Sequence, residues 1–230
     1  MSRPVLKRQS NYCYEDGVLK NKFDLHDAEK LDALARDITT FRISQLGCEN
    51  HVVQKFFQLE DYLNLHQYLL SDIFPFAGEI RDEPIYKSNE PYFTGENNKT
   101  CIFADPGCIV IQLKEYFRKM QFSAGRIKTR DDLLNFISYY YGEINFIHPF
   151  REGNGRTLRT YMKLLVDYMV PHLPEELQNL EIDYSLWDAN DRQELLKATI
   201  ICGVTLNDSY IKNCFDKVLV EKHLTKGKKR

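Results

Sequence analysis

The sequence predicts an all-α protein with one β-hairpin set beside a glycine-rich loop. Apolar residues recur at helical spacing through most of the 230 residues. One stretch, residues 84–103, breaks that period around a turn-rich centre. The two strongest helical patterns flank a twelve-residue segment, His148 to Arg159, that concentrates glycine, arginine and a lone histidine.

Taken in chain order, the first helix is expected from Asp27 to Phe41, where Leu31, Leu34, Ala35 and Ile38 share a face. A second runs from Val52 to Ile73, with Pro75 and Gly78 as stops. Ile85, Tyr86, Tyr92, Phe93, Ile102 and Phe103 surround the turn residues Thr94 to Asn98, which predicts a hairpin with a long loop. Helical spacing returns over Ile109 to Met120, where Val110, Leu113 and Phe117 fall together. The next helix starts at Thr129, an N-cap followed by Asp131 and Asp132 where negative charge suits the helix dipole. Its stripe is Leu133, Ile137, Tyr140, Tyr141 and Ile144. A partner runs from about Gly155 to Val170, with Leu158, Tyr161, Met162, Leu165 and Met169 inward and Pro171 as its stop. Further helices are expected around Asp188 to Cys202 and Asp208 to Leu224. The organisation this gives is an N-terminal extension (1–18), one domain (19–220) and a basic tail (221–230).

Composition excludes several classes. With 31 Lys+Arg against 33 Asp+Glu, 43% apolar and 28% charged residues, the chain is neither disordered nor a dedicated nucleic-acid binder, which needs clustered basic excess. No run approaches the roughly 20 apolar residues of a membrane span, and the N-terminus lacks the apolar core of a signal peptide. Six cysteines without a CxxC pair read as reduced thiols. The expectation is a cytoplasmic protein, or one delivered to another cell by a route that uses no N-terminal signal, with no membrane or nucleic-acid partner.

The segment His148-Pro149-Phe150-Arg151-Glu152-Gly153-Asn154-Gly155-Arg156-Thr157-Leu158-Arg159 carries the chemistry. Gly153 and Gly155 permit a tight turn with no Cβ between backbone and ligand. A helix opening there points unpartnered N–H groups and the positive end of its dipole outward, which makes an anion site. Arg156 and Arg159, three apart, are expected to rise from one face as two planar forks suited to a polyphosphate. Glu152 beside an anion site makes sense if Mg²⁺ arrives with the phosphates, since that ion takes one or two carboxylates plus phosphate oxygens. His148 is the one side chain here whose ordinary pKa suits proton abstraction near neutrality. Each feature alone is ordinary; together they point to attack of a hydroxyl on a nucleotide phosphate. The P-loop alternative fails, because Phe93 and Asn98 stand where Thr94 to Thr100 would need glycines. No GxSxG, HExxH or GxGxxG occurs.

This segment resembles the signature of Fic-domain proteins, His-x-Phe-x-Asp/Glu-Gly-Asn-Gly-Arg-x-x-Arg, with every defining position filled. Phe74 to Arg81 looks like the family's lead into its flap hairpin, with Phe76 where Trp is frequent, and Cys101 to Pro106 looks like the returning strand. The resemblance implies a Fic-like helical domain with a flap at about 82–106, and transfer of AMP from ATP, with Mg²⁺, to a Tyr, Thr or Ser hydroxyl of a target protein. On that reading His148 is the general base and Glu152 the metal ligand. Gly153, Asn154 and Gly155 hold the α-phosphate, and Arg156 and Arg159 the outer phosphates. Lys87, Ser88 and Phe103 complete the nucleotide site, and Thr100, Cys101 and Ile102 dock the target as an added strand. Gly155 is intact, which favours AMP transfer over the phosphorylating branch. The family's inhibitory pattern, Ser/Thr-x-x-x-Glu-Gly/Asn, is absent: Gln45 precedes Glu49-Asn50 and Tyr92 precedes Glu96-Asn97. A separate antitoxin carrying the inhibitory helix, as in a toxin–antitoxin pair, or an effector free of such control is therefore implied. Transfer of another nucleotide, removal of AMP, and a non-catalytic module binding through the hairpin edge are the alternatives.

Overall fold

A computed structural model describes residues 10–48, 52–53, 55–88 and 100–222. Its body is helical: α1 (Ala28–Gln45), α2 (Leu59–Leu70), α3 (Ile109–Ala124), α4 (Arg130–Ile147), α5 (Asn154–Met169), α6 (Ala189–Thr205) and α7 (Ser209–Asp216). Local chemistry sets the starts. Thr129 and Asp132 close a reciprocal capping box on α4, as do Asp188 and Asp191 on α6, and Asp27 caps α1 through the Glu29 and Lys30 amides.

The core centres on α4, which packs on α3, α5, α6 and α7. Leu133, Ile137, Tyr140, Tyr141 and Ile144 are all buried, so the expected stripe holds. So does the inward set of α5, Leu158, Tyr161, Met162, Leu165 and Met169. Between α2, α3 and α5 the rings of Tyr62, Phe117, Phe150 and Tyr161 form one aromatic cluster, with Tyr62 5.5 Å from Phe150 and 5.2 Å from Tyr161.

Several elements depart from the sequence expectation. The second helix begins at Leu59, because Phe57 sits at φ 70°, a left-handed conformation no helix continues through. It ends at Leu70, ahead of Pro75. On α3 the buried face is Ile109, Leu113, Phe117 and Met120, while Val110 stays 40% exposed. The last helix is only eight residues long. After it the chain forms a strand, Leu219–Glu221, paired antiparallel with Leu180–Ile182 in a second small sheet that the local pattern does not announce.

The hairpin consists of β1 (Tyr86–Ser88) and β2 (Thr100–Ile102), antiparallel in the register Tyr86↔Ile102, Lys87↔Cys101, Ser88↔Thr100. Each of these strands pairs only with the other among the described residues. The loop expected at 89–99 lies outside the described residues, as does the basic tail from 223 onward. The segment just after β2 meets the end of α4, where the Ala104 N–H donates to the Phe146 carbonyl at 3.4 Å. From Ser10 the extension lies against the body: the Tyr12 hydroxyl donates to Asp82 at 2.8 Å, and the Lys22 N–H to the Ile73 carbonyl at 2.8 Å.

Candidate active site

The loop from His148 to Asn154 is built by four restraints. His148 caps α4 in the left-handed region at φ 50° and ψ 62°, which turns the chain out of the helix, and Pro149 then forbids its resumption. Phe150 is fully buried, its ring stacked on the His66 imidazole with centroids 3.6 Å apart. Asn154 closes the turn: its Oδ1 accepts from the Phe150 N–H at 2.9 Å and its Nδ2 donates to the Phe150 carbonyl at 2.7 Å. Gly153 caps α5 at φ 82°, and a Cβ there would lie 2.1 Å from Leu70 Cδ1 and 3.3 Å from His66 Nε2. Glycine is required twice over, by conformation and by space. Gly153 offers no capping side chain to the first amides of α5.

His148 is presented by its neighbours. Its ring stacks on Phe103 with centroids 3.9 Å apart and planes within 16°. Its Nδ1 lies 3.1 Å from the Asn145 carbonyl oxygen. A carbonyl only accepts, so in the neutral ring Nδ1 carries the hydrogen and Nε2 the basic lone pair. Phe103, expected to line the nucleotide site, is buried and backs this ring.

Glu152 accepts from the Gly153 N–H at 2.8 Å and from Arg156 Nη2 at 3.1 Å, both on Oε1, with its side chain 38% exposed. Arg156 Nη1 is buried with no hydrogen-bond partner among the described residues. The two arginines have different partners within the protein. Arg156 turns to Glu152 and to a pocket of about 280 Å³ shared with Leu31, Ala35 and Phe74. Arg159 lies beside the buried Tyr141, and its carbonyl accepts from the Tyr184 hydroxyl at 3.0 Å. Gly155 keeps Arg159 close, since a Cβ there would stand 3.2 Å from Nη1. Of the hairpin residues, Lys87 and Ser88 fall on β1, and Thr100, Cys101 and Ile102 on β2, beside the end of α4 that carries His148.

Two residues of the site escape a reading of the sequence alone. His66, 1% exposed, accepts from the Gly78 N–H on Nδ1 at 2.8 Å, so Nε2 donates to the Glu152 carbonyl at 2.9 Å. Burial pushes its pKa down to about 4, which keeps the ring neutral. Arg81, also 1% exposed, lies under the loop and spends its guanidinium on backbone carbonyls of the hairpin base and of the end of α4. The signal for His66 is a lone imidazole on the apolar face of α2, flanked by Tyr62, Leu69 and Leu70, where a polar ring must find partners.

Residues 56–166 match the Fic/DOC family. The chain is 27% identical over 186 residues to the protein adenylyltransferase VbhT of Bartonella schoenbuchensis, covering 81% of this chain but 34% of that protein. It therefore spans about a third of that relative. Among solved structures it resembles the BepC effector of Bartonella tribocorum with bound AMPPNP, at TM-score 0.72 and 20% identity over 93% of this chain and 98% of that one. It also resembles the N-terminal Fic domain of a VirB-translocated effector of Bartonella quintana with bound ADP, at TM-score 0.71 and 22% identity over 92% and 95%. At these identities the likeness is one of fold.

Proposed function

Residues 56–166 match the Fic/DOC family, and on that premise we propose that the chain is a protein adenylyltransferase, moving AMP from ATP to a hydroxyl of a target protein. The observation that carries this is the placing of His148 on the loop that leads into the N-terminus of α5, with its Nδ1 hydrogen held by the Asn145 carbonyl. The curated relative VbhT bears the same activity in its name.

In the proposed step a target hydroxyl attacks the α-phosphorus and its proton passes to His148 Nε2. The bond from that phosphorus to the bridging oxygen breaks, and pyrophosphate leaves. The outward amides of α5 oppose the charge that grows on the α-phosphate, the class of interaction that contributes most to such reactions. Because both polar atoms of the Asn154 side chain hold Phe150, its contribution runs through the shape of the loop and its own backbone N–H. Arg159, beside Tyr141, and Arg156 would meet the outer phosphates, the latter by turning its unpartnered Nη1 outward.

Glu152 fits Mg²⁺: it is a half-exposed carboxylate at the phosphate end of α5, and no cluster of three metal-ligating residues exists among the described residues, so phosphate oxygens would complete the shell. When bound, that ion neutralises phosphate charge. The target's chain would add as a strand to the hairpin, whose two strands pair only with each other among the described residues. No helix among the described residues is long and apolar enough to cross a membrane. A separate inhibitory protein, and action in the cytoplasm of its own or of a recipient cell, complete the proposal.

Purified chain incubated with Mg²⁺ and α-labelled ATP, with and without lysate, tests it. Label should enter protein with the wild type and fall about 10²–10⁴-fold with His148→Ala. Label from γ-labelled ATP, or equal labelling by both proteins, would overturn it.

A further inference from the structure

Arg81 is a fully buried arginine, a residue type that almost never lies inside a protein without partners. Its Nη1 donates to the Glu83 carbonyl at 2.8 Å and Nη2 to Ala104 at 2.5 Å, so one guanidinium grips the chain entering β1 and the chain leaving β2. The same Nη2 reaches the Ile147 carbonyl at 3.2 Å, and Nε donates to the His148 carbonyl at 2.7 Å. Its own backbone N–H donates to Pro149 at 2.9 Å. The carbonyls at the end of α4 have no helical partner and carry the negative end of the dipole, so a buried cation suits them. Nearby, Ala104 bonds Phe146, and Phe103, the next residue toward β2, stacks on the His148 ring.

We infer that Arg81 is a positioning residue: it locks the base of the hairpin to the left-handed cap that presents His148, so that the strand docking a target hydroxyl and the imidazole receiving its proton keep one spacing. The guanidinium does not touch substrate. It acts through the His148 backbone on one side and through the two hairpin stems on the other. A lysine in its place offers one compact donor where a planar fork spans four carbonyls, so the charge survives and the bracket does not. The kinetic part rests on the transferase reading; the spectroscopic part does not.

The test is Arg81→Lys, with Arg81→Gln as a second variant, in the full chain. Two-dimensional ¹H–¹⁵N spectra of the histidine rings, with His148 assigned by its alanine variant, should show the wild-type ring as the Nδ1–H tautomer and the folded variants as a mixture. Labelling should lose at least tenfold in kcat with KM for ATP within threefold. Amide exchange of the wild type supplies a reading free of substitution: Arg81, Ala104 and His148 N–H should open at rates within threefold of one another. A folded variant with wild-type ring signals, or opening rates more than tenfold apart, overturns the inference. If the wild type transfers no AMP while the ring signals shift as stated, the transferase reading fails and the positioning role stands.

Discussion

Gly153→Ala is the sharpest perturbation of the loop, because two independent costs meet at one methyl. The backbone at φ 82° lies where an L-residue with a Cβ pays about 1–2 kcal/mol. The added Cβ would also stand 2.1 Å from Leu70 Cδ1, and Leu70 is fully buried in the core, so its side chain has nowhere to swing. Overpacking of this kind costs about 1–3 kcal/mol. The expected loss is about 2–5 kcal/mol, or a melting point lower by about 4–20 °C for a domain of this size. Urea denaturation of Gly153→Ala, Leu70→Ala and the double variant separates the two causes. In the Leu70→Ala background the clash is gone, and the glycine substitution should cost only the conformational share of about 1–2 kcal/mol. A loss below about 0.5 kcal/mol in the wild-type background refutes the reasoning, since that is the range of an ordinary surface change. Equal losses in both backgrounds refute the clash with Leu70 and leave only the dihedral.

Two further outcomes concern the supports of the same loop. His66 binds its proton below about pH 4 in the folded protein and near pH 6.5 when unfolded, so the unfolded state takes up the proton between these values; stability complete above pH 6.5 therefore drains away as pH falls toward 4, by about 3 kcal/mol in total. Urea midpoints of the wild type minus those of His66→Gln, taken across that range, should show this slope, and parallel curves would contradict it. Asn154→Ala leaves both the N–H and the carbonyl of the buried Phe150 without partners and should cost about 2–4 kcal/mol. A loss under about 1 kcal/mol in urea denaturation would show that water replaces the side chain.

The sequence by itself determined the part of this protein that is local. The helix opened by Thr129, the stop at Pro149, the turn at Gly153 and the helix after it are written in caps, glycine and apolar period within a span of about forty residues, and each is found there. The residue types of the proposed phosphate site also lie within twelve positions of one another. Tertiary structure decided what those residues face. Spacing on a helix does not name partners: Arg156 reaches Glu152, while Arg159 lies beside Tyr141 and accepts at its carbonyl from Tyr184, because a flexible charged side chain goes to what the neighbouring elements bring. The apolar period of α3 places Val110 inward with Leu113 and Phe117, but Ile109 and Met120 complete that buried face and Val110 stays partly exposed. The second sheet joins Leu180 to Glu221, so neither short strand has a reason to form until the other arrives. Arg81 and His66 belong to the same class. Their roles are set by carbonyls of residues 147, 148, 152 and 104, brought within hydrogen-bond reach only when α2, α4 and the hairpin pack, and a buried polar group takes its meaning from the acceptors that packing leaves for it.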